Sequence, residues 1–322
     1  MPVIRVLILV AIFLTGLPGH AREFRSADTY PFEYPTVQAV VQMDKLLRER
    51  TKGRHRIDPM GSDDRNSETF LVAQVRAGML DMARVNLAVL NRTVPATVVP
   101  TLPFLLKSTA HMRHVLDGPI GNEILEALEG QGLIGLAFYD AGPRSLYSVK
   151  RPIRKASDLK GMKVRVQQSD IWSTMMRALG ADPVAMPPDR VLGGLQAGVL
   201  DASDNDCSAY VATGHYRVAR YFSLTEHAMS PGVLIFSKRI WEELSKEDQT
   251  ALRSAAKDSV TAYRTLQDDA ETGSRSIVET AGVEIVTEVD KKSFVDAMVP
   301  LYPIALENVR VRTMVARVQA GN

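Results

Sequence analysis

Apolar positions along the chain follow two rhythms, and the rhythms alternate. Val37, Val40, Val41 and Leu47 keep a helical spacing, which predicts a helix over Thr36–Arg50 with its basic residues late and Gly53 beyond. A second helical stretch runs from Ser67 to Ala77, stops at Gly78 and feeds a short strand, Leu80–Val85. Pro119–Glu129, closed by Gly130, is another helix, and Leu133–Tyr139 is a continuous apolar run of buried-strand length. Ser169 is placed to cap a helix over Asp170–Leu179 that ends at Gly180. Ser245 with Asp248 resembles a capping box and opens a helical pattern reaching about Glu279. Gly273 interrupts that pattern, so it predicts one long helix with a bend or two consecutive helices. Strands separated by helices predict an α/β fold with mainly parallel sheets covered on both faces.

One arginine breaks the pattern. Met162-Lys163-Val164-Arg165-Val166 reads as a strand entering a core, directly after the turn Asp158-Leu159-Lys160-Gly161. A guanidinium in such a strand is costly unless an anion meets it. Its planar fork matches a carboxylate through two parallel hydrogen bonds. The plainer alternatives are an internal ion pair with Asp or Glu, or a side chain that snorkels to the surface. Arg144 follows Gly142-Pro143 after the Leu133–Tyr139 strand, where the chain would pass between lobes.

A weak internal echo adds to this. Ala77-Gly78-Met79-Leu80-Asp81-Met82-Ala83 recurs as Ala197-Gly198-Val199-Leu200-Asp201-Ala202-Ser203. Polar residues follow each strand: Arg84 and Asn86 in the first copy, Asp204, Asn205 and Asp206 in the second. Ligands of open α/β sheets bind beyond the carboxyl ends of strands, so a true echo means two similar lobes facing a cleft. Arg144, Arg165, Gln167 and Asn205 together suit one carboxylate with hydroxyls around it.

Composition narrows the class. Arg5 precedes an apolar run from Val6 to Leu17, and Gly19 and Ala21 carry the small residues of a cleavage site. That run is shorter than the ~20 residues of a membrane span. It predicts a secretory signal over residues 1–21, a mature chain from Arg22 and a periplasmic location. A single cysteine, Cys207, excludes an internal disulfide, and the near-balanced charge of +2 argues against a nucleic-acid partner. No nucleophile elbow, His-Glu-x-x-His, paired cysteines or phosphate-cradling glycine loop is present. His111 and His114 lie one helical turn apart without a third ligand at matching spacing, and read as solvated helix residues. Met175, Met176 and Trp172 read as core. No cofactor and no metal are expected, and the absence of coiled-coil repeats favours a monomer.

The chain resembles the solute-binding proteins of tripartite ATP-independent periplasmic (TRAP) transporters, the C4-dicarboxylate-binding type. The resemblance rests on Gln74-Val75-Arg76-Ala77-Gly78-Met79-Leu80-Asp81-Met82, Leu102-Pro103-Phe104-Leu105 and Val115-Leu116-Asp117-Gly118-Pro119-Ile120-Gly121. It extends through Arg151-Pro152-Ile153, the Asp158–Val166 stretch, Ala178-Leu179-Gly180-Ala181 and Leu195-Gln196-Ala197-Gly198-Val199-Leu200-Asp201. It implies a two-lobed periplasmic binding protein of type II-like, hinge-closing fold, with crossing strands and a long connecting helix. The lobes would be 22–141 with 230–268, and 142–229 with 269–322. It implies that Arg165 holds the ligand carboxylate, that Arg144 and Asn205 brace it, and that Glu68, Arg84, Asn86 and Gln167 read the rest of the ligand. The implied partners are a small carboxylate and a TRAP-type permease, with no catalysis.

Three departures bear on the ligand. Ser203-Asp204-Asn205-Asp206-Cys207 stands where the family usually reads Gln-Glu-Asn-Pro, Gln167-Gln168-Ser169-Asp170 replaces the usual proline, and Asp64-Arg65-Asn66 replaces Gln-Leu-Gly. These polar replacements resemble the branch that takes sugar acids such as uronates. Two other readings stay open: an exported sugar-acid hydrolase or lyase using Asp63, Asp64 or Glu68, and a sensory module serving a membrane kinase.

Overall fold

The computed structural model describes residues 21–62, 67–229 and 231–321. The expected leader, apart from Ala21, and the candidate acids Asp63 and Asp64 lie outside the described residues. Eleven strands among the described residues form two sheets. They are β1 (Arg22–Ala27), β2 (His55–Met60), β3 (Met82–Asn86), β4 (Leu133–Tyr139), β5 (Arg144–Ser148), β6 (Lys163–Val166), β7 (Asp182–Ala185), β8 (Ala202–Asn205), β9 (Tyr221–Ala228), β10 (Gly232–Ser237) and β11 (Glu284–Val286). The first sheet has the order β2-β1-β3-β10-β4 and the second β11-β9-β5-β8-β6-β7. This is the two-lobed α/β architecture expected.

The sheets are mixed rather than mainly parallel, and the reason lies in the crossings. β10 runs antiparallel to β3 and β4, and β5 runs antiparallel to β8 and β9. Each is the strand by which the chain enters from the other sheet: β4 leads into β5, and β9 leads into β10. The remaining strands end at the cleft, so a strand arriving across the cleft starts where its neighbours finish and must run against them. Ser145 accordingly pairs with Asn205, and Gly232 pairs with Asn86 and Tyr139.

Helix boundaries follow local chemistry. Ser67 Oγ accepts from the Phe70 amide at 3.2 Å and starts the helix Glu68–Ala77, which closes on Gly78 at φ +74°. The helix Lys246–Thr280 is capped by Ser245, whose hydroxyl accepts from the Asp248 amide at 3.1 Å. It is one helix of 35 residues, not two. Gly273 is exposed, with open space around it, so it costs only its weak propensity of ~1 kcal/mol. Anchoring on both sides offsets that: Leu252, Ala255, Ala256 and Tyr263 pack in the first lobe's core, and Val278 packs in the second's.

The C-terminal residues depart from the expected boundary that gave 269–322 to the second lobe. Phe294 and Met298 do pack with Trp172 and Met175 there. The helix Val309–Gln319 instead buries Val311, Met314, Val315 and Val318 against Val98 and Val99 of the first lobe. The chain therefore crosses a fourth time after Leu301, following β4–β5, β9–β10 and the long helix, and there Tyr302 donates its hydroxyl to the Pro103 carbonyl at 2.7 Å. An amphipathic helix joins whichever apolar face it can cover, and sequence position alone does not say which. No helix among the described residues is long and apolar enough to cross a membrane.

Candidate functional site

The internal echo corresponds to β3 and β8, one in each sheet. Gly78 and Gly198 take φ +74° and +70°. Asp81 Oδ2 accepts the Arg25 amide at the edge of β1, and Asp201 Oδ2 accepts the Lys163 amide of β6, each at 3.0 Å. Each aspartate thus pins a neighbouring parallel strand. The polar residues that follow, Arg84 and Asn86 in one lobe and Asn205 in the other, reach the same interlobe cavity.

Tyr30, Glu68, Arg84 and Asn86 form the first-lobe wall of this cavity, and Arg165, Gln167, Asn205 and His215 form the opposite wall. Glu68 Oε1 accepts the Asn86 amide at 2.8 Å and lies 3.5 Å from Arg84 Nη1. The Arg84 guanidinium sits 5.4 Å from the centre of the Tyr30 ring. Burial opposes its charge, but Asp28, Tyr30 and Glu68 outweigh burial and raise its pKa further above the ordinary arginine value. A Cβ on Gly232 would overlap this guanidinium, so glycine is what β10 needs beside Arg84.

Arg165 is buried, and its one side-chain hydrogen bond among the described residues runs from Nε to the Met186 carbonyl at 2.9 Å. No carboxylate among the described residues comes within ion-pair distance of it. Burial and the charge of Arg144 both push its pKa down, the direction of a cation lacking an anion. His215 donates to or accepts from the Tyr147 hydroxyl through Nδ1 at 2.7 Å. Burial, helped by Arg165, holds its pKa down at about 3, so its ring is neutral at physiological pH.

Arg144 has the opposite surroundings. It is 2 % exposed and does not line the cavity. Its Nε donates to Asp204 Oδ2 at 2.7 Å, Nη2 to the Asp204 carbonyl at 2.5 Å, and Nη1 to Asn205 Oδ1 at 2.6 Å. Its guanidinium lies over the Trp172 ring at 5.1 Å. Burial would raise the Asp204 pKa, but Arg144 and then His227, with Nε2 3.3 Å from Asp204 Oδ2, hold it well below the usual carboxylate range. Arg144 therefore fixes Asn205 by its amide oxygen and leaves the amide NH2 for other partners.

A buried arginine without a carboxylate partner among the described residues thus faces a wall that carries Glu68 and Asn86. The sequence profile described as bacterial extracellular solute-binding protein, family 7, matches residues 27–308. The chain belongs to this family. Among solved structures, a TRAP periplasmic solute-binding protein from Bradyrhizobium sp. BTAi1, in complex with α/β-D-galacturonate, is 46% identical. The similarity covers 93% of this chain and 100% of that one, with a TM-score of 0.91. One from Xanthobacter autotrophicus Py2 with bound β-D-galacturonate is also 46% identical, covering 92% and 99% with a TM-score of 0.90. A third, from Roseobacter denitrificans with bound β-D-glucuronate, is 35% identical, covering 93% and 99% with a TM-score of 0.90. Family 7 proteins are solute receptors, so the task of the cleft is binding rather than turnover.

Within the family 7 cleft, Arg165, Asn205, Glu68, Arg84, Asn86 and Gln167 all meet at one cavity, as expected from strand ends and resemblance. Arg144 does not meet them there; β5–β8 register places it against Asp204, one residue before Asn205. Glu68 is held by Asn86 and Arg84, without a nucleophile or metal cluster beside it among the described residues. His111 Nδ1 accepts the Lys107 amide at 3.2 Å, a local helix-start contact. Nothing in the sequence points to Tyr30, His215 or Gly232. Tyr30 lies in a loop and His215 in a short 3-10 turn, neither with a motif, and Gly232 is required only by the long-range approach of Arg84. A more open groove at Pro143, Cys207, Glu271 and Arg275 contains none of the expected residues.

Proposed function

We propose that this protein is a periplasmic receptor for hexuronates such as D-galacturonate or D-glucuronate, that it acts as a monomer, and that it hands its ligand to a TRAP-type permease. The observation that carries this reading is the buried Arg165, without a carboxylate partner among the described residues, facing a wall of hydroxyl-reading groups. The ligand carboxylate takes the Arg165 fork. The Asn205 amide, held by Arg144, donates beside it. Glu68 accepts from ring hydroxyls, and Arg84, Asn86 and neutral His215 complete the set. Solved relatives holding galacturonate and glucuronate support the sugar-acid assignment.

Titration calorimetry of the mature protein against D-galacturonate, D-glucuronate, succinate and D-galactose tests it. Uronates bind and raise the melting temperature by mass action, while galactose, lacking the carboxylate, does not. Binding of succinate alone would sink the sugar-acid reading, and tight binding of galactose would sink the role of Arg165.

A further inference from the structure

We infer that Glu68 is a charge filter that makes the cleft reject sugar diacids while accepting sugar monoacids. The inference rests on the uronate reading and extends it to a class of compound the cleft excludes. Two arginines face the cavity, Arg84 and Arg165, and one carboxylate, Glu68, faces it with them. The third arginine, Arg144, is cancelled behind the wall by Asp204. The lining therefore carries a surplus of one positive charge, and that charge is Arg165. Two further acids sit behind the walls. Asp28 takes the Thr36 hydroxyl at 2.5 Å and the Tyr30 amide at 3.1 Å, and Asp206 takes the Ser208 hydroxyl and the Ala209 amide. They shift the balance further against a dianion.

The position of the surplus matters as much as its size. A six-carbon acid anchored at Arg165 directs its far end to the first-lobe wall, where Glu68 and Arg84 are 3.5 Å apart. A hydroxyl or hemiacetal there donates to Glu68. A second carboxylate has no proton to donate and meets the Glu68 carboxylate in a buried, weakly screened site. Arg84 cannot relieve this, because its charge is already engaged by Glu68, Asp28 and the Tyr30 ring. Discrimination of this kind is built from a repulsive element rather than from added attraction.

The test compares three C6 acids of the same sugar on the mature protein by calorimetry: D-galacturonate, acyclic D-galactonate with one carboxylate, and acyclic galactarate with two. The galactonate-to-galactarate ratio isolates the second charge from ring shape. Galactarate is expected to bind at least about 100-fold more weakly than galactonate, the scale of a like-charge juxtaposition. Glu68→Gln keeps an oxygen for the Asn86 amide and removes the charge, so it narrows that ratio at least about tenfold. Galactarate monomethyl ester supplies the same control without a variant, and binds the unaltered protein far better than the diacid does. Equal binding of galactarate and galactonate overturns the filter while leaving the uronate reading intact, as does an unchanged ratio in folded Glu68→Gln. Failure of all three monoacids to bind, the ester included, overturns the uronate reading itself, and the filter with it.

Discussion

Arg144 and Arg165 lie on strands of the same sheet, are both buried and carry the same charge, yet their surroundings are opposite. Arg144 spends its donors on Asp204 and Asn205 and rests on Trp172. Arg165 has a single backbone carbonyl and a cavity. Arg144, with an internal counter-charge, belongs to the scaffold, whereas Arg165, without a carboxylate partner among the described residues, is the proposed seat of the ligand carboxylate. The comparison separates scaffold from site more cleanly than burial or charge alone.

The largest effect should come from breaking the scaffold arginine. Arg144→Met leaves the buried Asp204 with only His227 beside it, and should cost about 3–5 kcal/mol of stability, read by denaturant titration. Adding Asp204→Leu to it should recover most of that loss, because a buried pair replaced by apolar groups is close to neutral. No recovery would mean that the ion pair is not the source of the loss.

Arg165→Ala should do the reverse. Ligand affinity should fall by about 2–5 kcal/mol, while the ligand-free protein melts no lower than the parent, since an unpaired buried cation has been removed. Arg165→Lys should also bind poorly, because an ammonium does not reproduce the fork. A large loss of ligand-free stability in Arg165→Ala would erase the contrast with Arg144.

Most of the fold was legible in the sequence because its signals are local. Ser67 and Gly78 bracket one helix, Ser245 starts the longest, and the Gly-x-x-Asp echo marks β3 and β8. The site was legible as far as strand ends reach: Arg84, Asn86, Arg165, Gln167 and Asn205 all face the cavity. What sequence did not yield depends on register and packing between distant segments. Arg144 meets Asp204 only because Ser145 pairs with Asn205, and the Val309–Gln319 helix joins the first lobe only because an apolar face there is open to it. The direction of β5 and β10 likewise follows from the crossings and not from any residue in them.

Gly232→Ala sharpens the comparison from the opposite wall. The added methyl shifts the Arg84 guanidinium and should weaken uronate binding several-fold, measured by calorimetry. Unchanged affinity would remove Arg84 from the ligand's contacts.

The smallest effect within the physiological range concerns His215. Its folded pKa, about 3, lies below that of the unfolded chain, near 6.5. Below pH ~6.5 the unfolded chain binds the extra proton, so stability falls as pH falls toward 3, by about 1 kcal/mol per pH unit. Glu271 acts the other way, since burial and then Asp206 push its pKa up to about 7 and its contribution is lost as pH rises toward that value. The difference between the parent and His215→Gln isolates the histidine: the variant's stability should decline less between pH 6.5 and 5. Parallel curves would show that His215 titrates alike in the folded and unfolded chain.

The most direct measurement is a crystal structure of the mature protein with D-galacturonate bound. The account predicts both carboxylate oxygens on the Arg165 guanidinium, the Asn205 amide beside them, a sugar hydroxyl on Glu68, and Arg144 still paired with Asp204. A carboxylate seated on Arg84, or on an Arg144 released from Asp204, would contradict it.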